Sequence, residues 1–102
     1  MGGTVTPAHE MLTYLIHDPS TGWSKVGVTQ NLAQRLDWIR FQTKAPLFVA
    51  DQIYGHYEKV FWATHRHTKA VDSPYPGTNG ASEWTKLPLD ALLAWFRDLK
   101  EN

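Results

Sequence analysis

"GWSKVGVTQNLAQRL", residues 22–36, changes its period in the middle. Up to Val28 the residues alternate as a strand does, and from Asn31 apolar positions recur at helical spacing. Asn31 and Gln34 stand three apart, the spacing of an N-cap and its partner. Leu32, Leu36 and Ile39 follow at i, i+4 and i+7. A strand running directly into a helix brings Lys25, Gly27, Thr29 and Arg35 to one corner of the fold. Two cations bracketing a backbone pinch and a hydroxyl have the makings of an anion-binding place.

Upstream, "LTYLIH" (12–17) is β-branched and aromatic, and "DPSTG" (18–22) is a strong turn signal. Residues 12–28 therefore read as a β-hairpin, with "WSKVGV" (23–28) as its second strand. The first helix is expected to end near Phe41–Lys44, ahead of Pro46. Downstream, "PLFVADQIYG" (46–55) reads as a third strand, and "HYEKVFWATHRHTKA" (56–70) as a second helix. Its expected inner face carries Tyr57, Val60, Phe61, Thr64 and Thr68. "VDSPYPGTNGAS" (71–82) is too rich in proline and glycine to be anything but a loop. "EWTKL" (83–87) is a short extended piece. Pro88 suits a first helical turn, and Leu89, Leu92, Leu93, Phe96 and Leu99 form a third apolar stripe. The expected order is β-β-α-β-α-α. It describes an α+β fold: a small three-stranded, largely antiparallel sheet flanked by about three helices. Residues 1–11 read as a loose lead-in and 12–102 as one domain.

Composition narrows the function. The chain has 102 residues, 42% of them apolar, and five tryptophans, which favours a folded globule. It has no cysteine, so disulfides and thiolate zinc sites are excluded. No run approaches the roughly 20 apolar residues of a membrane span, and no secretory signal is visible, so the expected compartment is the cytoplasm. The opening "MGGTVT" fits the loose N-myristoylation pattern. Ten basic and ten acidic residues balance. That balance argues against a nucleic-acid binder with a large footprint, which normally shows a basic excess. A small site with local positive charge remains compatible with it.

Helical geometry places Arg35 beside the Leu32/Leu36/Ile39 stripe, at the border of the core. In the second helix Glu58, Trp62 and His65 stand at i, i+4 and i+7. A tyrosine, a lysine, an arginine, a glutamate and a histidine are thus able to converge over the sheet. Taken singly, each has an ordinary structural explanation. Tyr14 suits a core strand, Gly27 relieves crowding, and Glu58 is a typical surface acid. His65 and His67 diverge on a helix, which speaks against zinc.

In combination, these residues resemble the core of the GIY-YIG nuclease superfamily. "LTY" (12–14) stands where its first motif falls and "KVG" (25–27) where its second falls. The hairpin length and the interval to the helical arginine match, with Arg35 in that place and Glu58 on the following helix. "EW" at Glu83–Trp84 after a turn-rich loop is similar to the small branch found in phage and prophage proteins. The likeness runs from about residue 12 to residue 96. Leu12 replaces the first glycine, and Lys25 replaces the tyrosine of the second motif, a variant similar to what the phage-type branch carries.

The resemblance implies a metal-dependent endonuclease that hydrolyses phosphodiester bonds, of DNA ahead of RNA. Glu58 would hold Mg²⁺ or Mn²⁺ as its sole protein carboxylate. Arg35 would stabilise phosphoryl charge, and Tyr14 would orient or deprotonate water. Lys25 would assist or contact the phosphate, and its charge would lower the Tyr14 pKa. Gly27 is structural at the site, with His65 and Thr29 secondary candidates. Glu83 reads as structural, next to a tryptophan and an apolar helix. Target choice would come from loops such as 71–82, a homodimer or a partner protein. The alternative is a catalytically silent module that kept the fold to bind nucleic acid or protein.

Overall fold

The computed structural model describes residues 10–76 and 83–101. The myristoylation pattern, most of the expected lead-in and the second half of the 71–82 loop lie outside the described residues. The elements in chain order are β1 (Leu12–His17), β2 (Ser24–Thr29), α1 (Leu32–Thr43), β3 (Phe48–Tyr54), α2 (Glu58–His65), β4 (Trp84–Thr85) and α3 (Leu89–Glu101). A 3₁₀ turn, Arg66–Thr68, closes α2.

The sheet has four strands in the order β3-β1-β2-β4, and every pairing is antiparallel. It is an α+β fold as expected, but with one strand more than the three expected. The extra strand is Trp84–Thr85, paired with Ser24 and Lys25 of β2. These residues fall in the stretch read as a short extended piece, and the pairing with β2 makes them a strand of the sheet. Lys69 bridges Thr85 from the other side, and the Ala70 N–H donates to the Trp84 carbonyl.

β1 is the centre of the molecule: all six of its residues are buried. A strand covered on both faces reads as an unbroken apolar run, which is how "LTYLIH" reads. Tyr14 and Ile16 point to one face, where Ile39, Leu47, Tyr75 and Trp84 pack with Leu32 and Leu36 of α1. Leu15 and Val26 point to the other, under Phe61, Trp62, Leu92 and Phe96. The stripes read in α1 and α3 therefore find opposite sides of one sheet.

The α1 start follows its cap: the Gln34 N–H donates to Asn31 Oδ1 at 3.1 Å. Its end is a left-handed Lys44 (φ 56°) whose N–H donates to the Arg40 carbonyl at 2.8 Å. In α2 the expectation needs correcting on two points. The α-helix covers Glu58–His65, not 56–70, and its inner residues are Phe61 and Trp62 while Val60 is exposed. Trp62 turns inward because its indole N–H reaches the Val26 carbonyl at 3.4 Å. No helix among the described residues is long and apolar enough to cross a membrane.

The β1–β2 turn is held by Asp18, a carboxylate buried from solvent. It accepts from the Ser20 N–H at 2.8 Å, the Ser20 hydroxyl at 2.6 Å, the Thr21 hydroxyl at 3.0 Å and the Tyr75 hydroxyl at 2.5 Å. Tyr75 thereby ties the 71–76 segment to the hairpin, and its ring packs on Trp84 with centroids 4.8 Å apart. Burial pushes the Asp18 pKa up, but these donors outweigh burial and hold it below its ordinary 3.8. A depressed carboxyl contributes stability that is present above 3.8 and is lost as pH falls through the lowered value.

Tyr75→Phe should cost about 1–3 kcal/mol, the usual price of leaving a buried acceptor short of a donor. Urea unfolding should show a lower midpoint with an unchanged slope. The variant's Asp18 pKa moves back toward its ordinary value, so stability should fall less steeply with acidification than in the parent. Equal midpoints, or an equal acid dependence, would contradict the tie.

Candidate functional site

The site forms on the Tyr14 face of the sheet. Tyr14 pairs with Gly27 and Ile16 with Lys25 across β1 and β2, so Tyr14, Lys25 and Gly27 share that face. The Tyr14 ring crosses over Gly27. A Cβ at residue 27 would stand 2.5 Å from the Tyr14 hydroxyl oxygen, 2.8 Å from its Cζ and 3.0 Å from Glu83 Oε1. Only glycine fits beneath the phenol, which explains the pinch seen in "KVG".

The Tyr14 hydroxyl is fully buried and, among the described residues, makes no hydrogen bond of good geometry, although the Arg35 guanidinium lies near enough to act on it. Burial pushes its pKa well above the ordinary phenol value, and the Glu83 carboxylate adds to the rise. The Arg35 guanidinium opposes it, and Glu58 raises it further. Arg35, Glu58 and Glu83 thus all lie close enough to Tyr14 to bear on its ionisation. Arg35 is half-buried at the edge of the α1 stripe, as its helical position implied.

Lys25 is buried, and its Nζ pairs with Glu83 Oε1 at 2.7 Å and lies 5.4 Å from the Trp84 ring centroid. This corrects the expected role of Lys25. A lysine lowering the phenol pKa requires a free ammonium beside Tyr14. Here the ammonium is neutralised by Glu83, whose own charge drives the phenol the other way. Burial and Glu83 both favour the neutral phenol at Tyr14.

Glu58 opens α2, half-buried, and its pKa is raised above the ordinary 4.5. Burial is the main cause and Glu83 the next, opposed by His56, Lys25 and Lys69. Glu83 therefore belongs to the site rather than to the structural background. Sequence spacing had no means of finding it, since β4 brings it to Lys25 from far along the chain. The one available signal was its position in "EW".

The secondary candidates separate. The Thr29 hydroxyl accepts from the Asn31 N–H at 3.1 Å and donates to the Asn31 carbonyl at 3.3 Å. Thr29 fixes the start of α1 and so the base of Arg35. It also lines, with Asn31, Gln34, Arg35 and Trp38, a groove of about 340 Å³. His65 is not brought to this face. Its ring stacks on Phe61 at 4.5 Å, meets Trp95 edge-on at 6.4 Å, and its Nδ1 lies 3.1 Å from the Phe61 carbonyl. It belongs to the aromatic cluster between α2 and α3.

No protein-family model, curated protein or solved structure matches the chain. What the site can do is therefore argued from its own geometry: a sheltered hydroxyl, a guanidinium beside an open groove, and two carboxylates sharing one lysine.

Glu83→Gln removes the like charge and frees Lys25 to act on Glu58. The Glu58 pKa should move down toward 4.5, read by carbon NMR of the side-chain carboxyls across the acid range. A raised carboxyl favours folding below its ordinary pKa and loses that contribution as pH rises through the folded value. The variant should show less of this loss. An unchanged or higher Glu58 pKa would remove Glu83 from the site.

Proposed function

We infer that the chain is a divalent-metal-dependent endonuclease of the GIY-YIG type, hydrolysing phosphodiester bonds of nucleic acid, DNA ahead of RNA. The observation that carries the reading is convergence. Tyr14 from β1, Lys25 from β2, Arg35 from α1 and Glu58 from α2 act on one small region around a buried hydroxyl. A binding module has no need of a half-buried glutamate whose charge is disfavoured.

The donor set suits Mg²⁺ or Mn²⁺. Glu58 offers hard oxygens, and the like charge of Glu83 is relieved by a divalent cation. Among the described residues no group of three or more His, Asp or Glu side chains gathers into a metal cage. Mg²⁺ asks for none, since one or two carboxylates plus water and substrate phosphate satisfy it. When bound, the cation supplies charge stabilisation at a phosphoryl oxygen and at the leaving oxygen.

The protein's residues supply the rest. Arg35 presents a planar fork of donors to phosphoryl oxygens from a fixed helical position. Tyr14, held neutral by burial beside Arg35, is closed off from water in the protein alone and would orient the attacking water only once substrate opens the site. Lys25 holds Glu83 in place and offers a cation to an incoming phosphate. The Lys25–Glu83 ion pair and the neutral phenol favour a second reading, a nucleic-acid-binding module without catalysis.

Incubation with plasmid, single-stranded DNA and RNA, in Mn²⁺ or EDTA, separates the two. Metal-dependent nicking supports the nuclease; binding without cleavage in any metal supports the silent module. Glu58→Gln should abolish cleavage with the circular dichroism spectrum unchanged, and normal cleavage by this variant would remove Glu58 from the metal.

Arg35→Lys should lower single-turnover cleavage by roughly 10²–10³-fold, the usual loss for one preorganised donor. Binding in EDTA should change far less. A large binding loss with an unaltered cleavage rate would make Arg35 a binding residue only.

A further inference from the structure

α1 is apolar on two sides. Leu32, Leu36 and Ile39 face the core, yet Trp38 and Phe41 are 55% and 67% exposed on the solvent side. Gln34, Trp38 and Phe41 recur at i, i+4 and i+7 along that outer face. The two rings are stacked, with centroids 5.9 Å apart and planes 22° from parallel. Lys44 lies over Phe41, its Nζ 5.0 Å from the ring centroid. Large aromatics left in solvent side by side signal a partner.

The geometry points to a stacking platform for unpaired nucleotide bases, Trp38 and Phe41, running on from the phosphate place at Arg35. The inference rests on the nucleic-acid reading above and names the form of nucleic acid that the site takes. Three observations select this occupant. Trp38 lines the same groove of about 340 Å³ as Arg35, so the platform joins the guanidinium at its Trp38 end. The surroundings suit a polyanion carrying polar bases: Arg35, Lys44, Asn31 and Gln34, with Asp37 the one acid of α1. Scale agrees as well. Arg35 and Phe41 are separated by roughly 9 Å of helix axis, which is two to three stacked bases at about 3.4 Å each.

The outward face of Trp38, backed by Phe41 and Lys44, accepts any base, and such a contact is favourable without regard to sequence. Bases inside an intact duplex have both faces covered by their neighbours, so they cannot use the platform. The preferred substrate is therefore a single strand, or an unpaired stretch beside the scissile phosphate.

The test is fluorescence anisotropy in EDTA with a fluorescein-labelled single-stranded oligodeoxynucleotide and with the same sequence as a duplex. Both positions are exposed, and melting of Trp38→Ala, Phe41→Ala and the double variant should match the parent. The double variant should bind the single strand at least about tenfold more weakly, as expected for loss of stacking. Duplex binding should change much less, and Trp38→Phe should restore most of the loss. Equal weakening on both forms, or none on the single strand, overturns the platform. So does a parent dimer that the double variant converts to monomer in sedimentation with strand affinity unchanged, since the face is then a contact between copies. Cleavage in Mn²⁺ distinguishes the two readings. A parent that binds single strands through Trp38 without cutting anything keeps the platform and loses the nuclease. A parent that cuts while the double variant binds like it does the reverse.

Discussion

The Tyr14 phenol lies over the Gly27 backbone, and much of the site's chemistry follows from that close approach. With no room for a Cβ at 27, the ring settles against β2 and is sealed from water. In that setting a phenol keeps its proton, because burial penalises the phenolate and the nearest carboxylate repels it. The same approach brings Glu83 Oε1 to the edge of Gly27, and Lys25, two residues back on the same face, answers it. One glycine thus decides where a hydroxyl, a carboxylate and an ammonium meet.

Charge is distributed by the same logic. The chain is neutral overall, and in the site charges of both signs stand close together: Lys25, Arg35 and Lys69 near Glu58 and Glu83. A site of mixed charge does not draw a polyanion from a distance as a basic cleft does. Binding a phosphate requires that the balance be tipped locally, by a divalent cation against the two acids or by Lys25 exchanging Glu83 for the phosphate. The Glu58 pKa is raised by burial first and by Glu83 second, so a cation at Glu58 would relieve both.

Where the chain repeats at a regular period, the fold was legible. The hairpin, the α1 cap at Asn31, the α1 stripe and the α3 stripe all stand where spacing puts them. The same holds for Tyr14, Lys25 and Gly27, whose common face follows from strand alternation once the hairpin is accepted. What escaped depends on distant partners. The extended reading of 83–87 holds at Trp84 and Thr85, but their pairing with Ser24 and Lys25 comes only with the tertiary fold. Glu83 entered the site with it. In α2 helical spacing allowed more than one inner face, and the Trp62 bond to the Val26 carbonyl selected the one observed. The Lys25 effect on Tyr14 was misjudged for the same reason: a cation's influence depends on what neutralises it, and Glu83, read as structural, is that partner.

α1 shows how one helix serves both ends of this argument. Its inner stripe is what lets the helix pack at all, because twelve residues without tertiary contacts are marginal in water. Once packed, its first turn is pinned by Asn31 and Thr29, and this fixes the direction of Arg35. The outer aromatics contribute nothing to that packing; they leave apolar surface in water at some cost to solubility. Such a cost is tolerated where the surface is used. In a chain with no excess of positive charge, stacking is the force still available for the strand binding proposed at Arg35, because it needs no net charge.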